Sequence, residues 1–207
     1  MTAVCVYCSS SNRIAPSYLA LAAEVGTELA KRGHVLVTGG GSVSMMGEVG
    51  RAARAAGGHT VGIIPDHLVA MEVADHDSDE LFVVETMRQR KAGMDERADA
   101  FLVLPGGIGT LEEFFEVWTA GTLGMHAKPV VVLDPEGFYE PLWAWLEDLV
   151  ERGFVRRSAL ASLLRVRTVA DALDAAETGR APADTPAPSG PSPPEPQDQH
   201  RHCPRSS

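Results

Sequence analysis

The run Pro105-Gly106-Gly107-Ile108-Gly109-Thr110-Leu111-Glu112-Glu113 combines residue types that can hold an anion and act on what carries it. It follows an apolar stretch at 100–104 and opens an apolar-periodic segment at 111–119. A glycine-rich turn between a strand and a helix leaves backbone N–H groups free and lets a ligand approach closely. The helix dipole adds partial positive charge at the same place. Such a turn is a phosphate site. Glu113 lies one turn into the helix, so a carboxylate stands beside whatever phosphate-bearing ligand docks there. That pairing points to chemistry rather than storage of a phosphate.

Other constellations are weaker. Gly39-Gly40-Gly41-Ser42, with Gly47 beyond, reads as a second backbone cradle for phosphate or ribose, or as a tight strand-to-helix turn. Its spacing does not fit the dinucleotide fingerprint, because Ser44 stands where the last glycine belongs. Asp66 follows after a suitable interval, so a ribose-binding acid stays open as a minority reading. The Met87-Arg88-Gln89-Arg90-Lys91 segment starts a helix with basic faces. Solvated charges and anion binders, with Arg90 and Lys91 over the crevice, fit it equally. Cys5 and Cys8 lie three apart on a strand, so they face opposite ways and read as packing residues. There is no second pair to complete a zinc site. Residues 75–79 resemble a calcium loop but carry Glu80 and Thr86 where the loop needs Gly and Glu. No Ser-His-Asp arrangement or Walker pattern is present.

The elements that must position these residues alternate along the chain. Strands are expected at 3–8, 35–38, 60–64, 81–85, 100–104, 129–133 and 163–166. Helices are expected at 16–32, 45–56, 87–98, 110–119, 139–151 and 169–176, with a polar loop over 66–80. Trp118, Trp143 and Trp145 fall at helical positions and read as core or interface. Continuous apolar strands separated by helices mean a mainly parallel sheet covered on both faces, a Rossmann-like, doubly wound α/β fold. Ligands bind at the carboxyl ends of such strands. The loops at 8–11, 39–42 and 105–110 all lie there and can converge on one crevice. Residues 1–180 form this domain. Residues 181–207 are rich in Pro, Ala and Ser and read as a disordered tail.

The formal net charge of −10, without a basic stripe, argues against nucleic acid as the partner. No stretch reaches the roughly 18 apolar residues of a membrane span. The N-terminus runs straight into a strand without a signal-peptide layout. Three cysteines give no disulfide framework, and a cytoplasmic setting is expected.

Pro105-Gly106-Gly107-x-Gly109-Thr110-x-x-Glu113, with Met87-x-x-Arg90-Lys91 upstream, resembles the LOG ("lonely guy") family of cytokinin riboside 5′-monophosphate phosphoribohydrolases. The similarity extends through Cys5-x-x-Cys8-x-Ser-Ser, Gly39-Gly40-Gly41-Ser42-x-x-x-Met46-Gly47, Ile64-Pro65 and Leu123-Gly124-x-His126-x-Lys128-Pro129, covering residues 3–175. The resemblance implies cleavage of the N-glycosidic bond of a nucleoside 5′-monophosphate without a cofactor or metal, by a homodimer. It makes Arg90 and Glu113 the catalytic pair. It assigns substrate contacts to Ser9, Gly41, Ser42, Glu72, Met87, Lys91, Gly106, Gly107, Ile108, Gly109, Thr110, Leu111, Glu112 and Thr119. The family often has Gly where Ser9 and Ser44 stand, and His where Arg88 stands. The rival expectation is a non-catalytic nucleotide or cofactor carrier on the same fold, similar to the molybdenum-cofactor carriers. A pyridoxal decarboxylase is a distant third, since none of Lys31, Lys91 and Lys128 has a recognisable Schiff-base setting.

Overall fold

A computed structural model describes residues 1–71 and 73–180. Glu72 and the expected disordered tail lie outside the described residues. Seven strands form one sheet: β1 (Ala3–Tyr7), β2 (Val35–Thr38), β3 (His59–Pro65), β4 (Glu80–Val84), β5 (Ala100–Val103), β6 (Val130–Leu133) and β7 (Leu163–Val166). Their order is β4-β3-β2-β1-β5-β6-β7, and every pairing is parallel. The chain reverses direction across the sheet between β1, which leads to β2, and β5, which leads to β6. That is the switch point where a doubly wound sheet opens a crevice.

The helices are α1 (Pro16–Lys31), α2 (Ser44–Ala55), α3 (Asp66–Ala70), α4 (Met87–Arg97), α5 (Ile108–Thr122), α6 (Glu140–Glu151), α7 (Arg157–Ala161) and α8 (Val169–Thr178). Helices α1, α2 and α8 bury Val25, Leu29, Met45, Val49 and Leu173 against one face of the sheet. Helices α4 to α7 bury Met94, Phe114, Trp118, Leu146 and Leu160 against the other. The central strands are covered on both sides, which is why their sequences are apolar throughout. Cys5 packs in one core layer and Cys8 in the other, as alternation along a strand requires. Burial pushes both thiols up, which disfavours the reactive thiolate.

Two short helices depart from the expectation. The region expected as a polar loop at 66–80 begins with α3, a single five-residue helix that buries no residue. It has no apolar stripe to announce it, and Pro65 at its N-cap provides only the entry. The other, α7, follows an expected helix end at 151 and buries only Leu160. The loop at 75–79 is not simply solvated. Asp75 is buried and receives both Nη atoms of Arg54, at 2.9 and 3.1 Å, and Asp79 accepts from the Thr60 N–H and hydroxyl. Trp118 is buried, whereas Trp145 is mostly exposed. Among the described residues, no helix is long and apolar enough to cross a membrane.

Candidate active site

The loops after β1, β2 and β5 converge on one crevice of about 430 Å³ at the carboxyl ends of the strands. Its lining includes Ser9, Gly41, Gly107, Ile108, Gly109, Thr110, Arg90 and Glu113. Helix α5 starts at Ile108 with Gly107 as its N-cap, and no side chain caps it. The first intrahelical acceptor is used by Leu111, whose N–H donates to Gly107 O at 3.0 Å. The N–H groups before it have no acceptor within the helix, and Gly107 to Thr110 line the crevice, which suits them as donors for an anion. Gly106 is required by packing: a Cβ there would lie 2.1 Å from Thr110 Oγ1.

Arg90 reaches into the crevice from α4 and is 7% exposed. A capping box, in which Thr86 and Gln89 exchange hydrogen bonds, fixes the start of that helix. The Arg90 Nε donates to Gly39 O and Ile63 O, both at 3.2 Å, and Nη2 donates to Gly39 O at 3.1 Å. Its Nη1 donates to Glu113 Oε1 at 3.2 Å. Two strand-end carbonyls thus hold the guanidinium flat beside the carboxylate. Glu113 is 8% exposed. Burial pushes its carboxyl up to about 7, against the opposing pull of Arg90. About half ionised near neutral pH, it is poised to exchange a proton.

The crevice wall comes from the segment after α3. The Ser42 N–H donates to Val73 O at 2.8 Å, the Asp75 N–H donates to Gly40 O at 2.8 Å, and Arg54 clamps Asp75 from behind. Met71 and Val73 then face the cavity with Leu68. Ser44, where the resembling family often has Gly, adopts a φ of +53° and donates its hydroxyl to Ser11 O at 2.6 Å. That hydrogen bond offsets a left-handed conformation that glycine adopts freely.

Several expected site residues stand elsewhere. The loop at 39–42 is not a second anion cradle: the N–H groups of Gly40, Gly41 and Ser42 donate to Thr38 Oγ1, Met46 Sδ and Val73 O. Gly41 lines the crevice, but Ser42 turns its hydroxyl to Val73 O. Lys91 is not over the crevice. It lies on an outer groove between α4 and α5, paired with Glu112 and, at 2.7 Å, with Glu116. Hydrogen bonding to Glu112, then to Glu116, holds its ammonium charged. Thr119 lines that same groove, and Glu113 lines both spaces. Leu111 packs its side chain into the core, and Met87 is 42% exposed at the start of α4. Gly106 borders a small apolar pocket beside the crevice.

Sequence reasoning placed Gly39 in a possible phosphate or ribose cradle and missed its part in admitting Arg90. A Cβ on that residue would lie 1.5 Å from Arg90 Nη2, so only glycine admits the guanidinium. The run of three glycines was the available signal. Among the described residues no group of three or more His, Cys, Asp or Glu side chains is placed to hold a metal ion. No lysine lines the crevice: Lys31 pairs with Glu28, Lys91 with Glu112 and Glu116, and Lys128 with Asp95.

A family model described as "possible lysine decarboxylase" matches residues 46–176. The cytokinin riboside 5′-monophosphate phosphoribohydrolase of Mycobacterium tuberculosis is 55% identical over 172 residues, covering 83% of this chain and 91% of that protein. The chain belongs to the LOG family. A second LOG-family relative, the enzyme of the same name from Mycobacterium marinum, is 53% identical over 176 residues, covering 85% of this chain and 94% of its own length. The rice LOG protein, also named for this activity, is 43% identical over 165 residues, covering 80% and 68%. Among solved structures, the molybdenum cofactor carrier protein of Chlamydomonas reinhardtii superposes with a TM-score of 0.63 at 22% identity, covering 85% of this chain and 96% of that one. That likeness shows that the LOG fold is shared, and it carries nothing further.

Proposed function

We propose that this protein hydrolyses the N-glycosidic bond of nucleoside 5′-monophosphates, cytokinin ribotides among them, and releases the free base and ribose 5-phosphate. The observation that carries this reading is the buried Arg90–Glu113 pair beside the uncapped N-terminus of α5. The names of the mycobacterial and rice relatives support the same reaction. Binding a nucleotide requires the cradle alone. A carrier has no use for a buried carboxyl group that titrates near neutral pH in contact with the same cavity.

In this reading the free amides of α5 hold the 5′-phosphate, and that remote binding energy positions the sugar. Cleavage passes through an oxocarbenium-like state at C1′. Glu113 in its carboxylate form stabilises the positive charge and takes a proton from the attacking water. The C1′–N bond breaks with its electron pair leaving on the base. The water oxygen bonds to C1′, and the proton balance closes with a protonated base nitrogen. Arg90 keeps part of the Glu113 population ionised and orients it.

A second copy of the chain completes the proposal. The outer groove, about 890 Å³, lies between α4 and α5 beside the crevice and is edged by Leu123 and Met125, which are 66% and 75% exposed. Seating another protomer there covers this apolar edge and brings Lys91 and Thr119 to the subunit boundary. Light scattering of the purified protein should give the mass of a homodimer. A monomer at micromolar concentration overturns this part.

Product analysis tests the reaction. The protein is incubated with AMP and, separately, with N6-isopentenyl-AMP, and the mixtures are resolved by liquid chromatography. Free base and ribose 5-phosphate are expected from the wild type and not from Glu113→Gln. Intact nucleotide in every mixture, with binding demonstrated, hands the site to the carrier reading.

A further inference from the structure

We propose that Tyr139 is a positioning residue that clamps the phosphate-binding turn from the β6 side. The inference rests on the reading that the 105–110 turn takes a phosphate. Tyr139 precedes α6 and is 3% exposed. Its hydroxyl donates to Leu104 O at 2.8 Å. The phenol therefore anchors the backbone immediately before Pro105. Leu104 lies just past the last β5–β6 partner, Val103, and its carbonyl is buried where the ladder has ended. A buried carbonyl needs a donor, and Tyr139 supplies it.

The phenol is itself held in place. The Tyr139 N–H donates to Asp134 Oδ2 at 3.1 Å, and Asp134 is fully buried at the end of β6. Arg165 on β7 donates to the same oxygen at 3.2 Å. The turn is thus fixed on two sides: Pro105 O accepts from the Ser9 N–H on the β1 side, at 3.3 Å, and Tyr139 grips it from β6. Gly106 in turn sits against Thr110 in the first turn of α5, so a shift of Gly106 tilts the amides that face the anion. None of the sequence motifs contains Tyr139, which acts on the cradle without lining the crevice.

The test is Tyr139→Phe, which removes the hydroxyl and keeps the ring. The dissociation constants for inorganic phosphate and ribose 5-phosphate should rise about tenfold, as expected for the loss of roughly one hydrogen bond's worth of alignment. The KM for AMP should rise with them while kcat stays within about threefold, because the clamp touches binding and not the reacting bond. Inhibition by adenine, which has no phosphate, should not change. Leu160→Ala serves as the control for general softening, since it opens the core under α7 far from the turn, and it should leave phosphate affinity unchanged. Unaltered phosphate affinity in folded Tyr139→Phe, or an equal loss in Leu160→Ala, overturns the clamp.

Phosphate titration needs no turnover, so a wild type that binds phosphate yet leaves AMP intact defeats the hydrolase reading alone.

Discussion

Replacing Glu113 by Gln should lower kcat for AMP by at least about a thousandfold, the scale on which removal of a preorganised charge-stabilising group acts. AMP binding should hold within a few-fold, because the amides of α5 are untouched. The fold should hold too: Gln is isosteric, and its amide oxygen can still accept from Arg90 Nη1. The variant should even be the more stable protein at alkaline pH. Burial lifts the Glu113 carboxyl from its ordinary 4.5 to about 7, so folding takes up a proton between those values. This contribution to stability is complete below 4.5 and is lost as pH rises through 7. Above 7 the wild type must bury a carboxylate that Arg90 only partly compensates. Gln carries no such penalty, and the gain is on the order of 1–3 kcal/mol at pH 8, vanishing near pH 4. Thermal unfolding of both proteins at pH 5 and pH 8 checks this, together with single-turnover kinetics.

The same shift sets an acidic limb near pH 7 in kcat/KM, with activity falling as Glu113 becomes protonated. The phosphate of AMP titrates nearby, at about 6, and has to be told apart. Glu112→Gln does so. Its carboxylate repels that of Glu113 and helps to raise it, so removing the charge moves the enzyme's limb to lower pH. A limb belonging to the substrate stays where it was. A fully active Glu113→Gln protein sinks the assignment of roles.

The parts of this site that could be read in the sequence are those written locally. Strand, glycine turn and helix follow one another at 100–122, so the uncapped start of α5 and the position of Glu113 were legible from order and composition. The alternation of Cys5 and Cys8 between core layers followed from strand geometry. What failed depended on distant partners. Arg90 and Lys91 are adjacent on α4, and nothing local says which turns inward. The choice is made by the carbonyls of Gly39 and Ile63, which are 51 and 27 positions away. Lys91 is drawn out by Glu112 and Glu116 on the neighbouring helix. The loop at 39–42 looked like a cradle because its glycines are there. Its amides are consumed by Thr38, Met46 and Val73, and Val73 belongs to a segment whose course no periodicity reveals. The helices α3 and α7 escaped because five residues are too few to show a stripe.

Gly39→Ala follows from the same geometry and should match the loss of Arg90 itself. The added methyl carbon would lie 1.5 Å from Nη2, 2.4 Å from Cζ and 2.8 Å from Nε of Arg90. No small adjustment clears three atoms of a guanidinium held by two carbonyls and a carboxylate. Arg90 must leave, and Glu113 then stays buried without its cation. Breaking a buried pair on one side costs about 3–5 kcal/mol, which thermal unfolding will register. The carboxyl of Glu113, no longer drawn down by Arg90, rises further above 7, and turnover at neutral pH should fall by at least about a hundredfold. Gly41→Ala is the informative comparison. Its methyl meets Met46 Sδ at 3.0 Å, the far end of a flexible side chain that can yield. It should be mild in both stability and rate, although Gly41 lines the same crevice. The double variant Gly39→Ala, Arg90→Ala should be no slower than Arg90→Ala alone, because the methyl then fills the space the guanidinium has left. Additive losses instead would mean that Gly39 acts on the reaction by some route other than admitting Arg90.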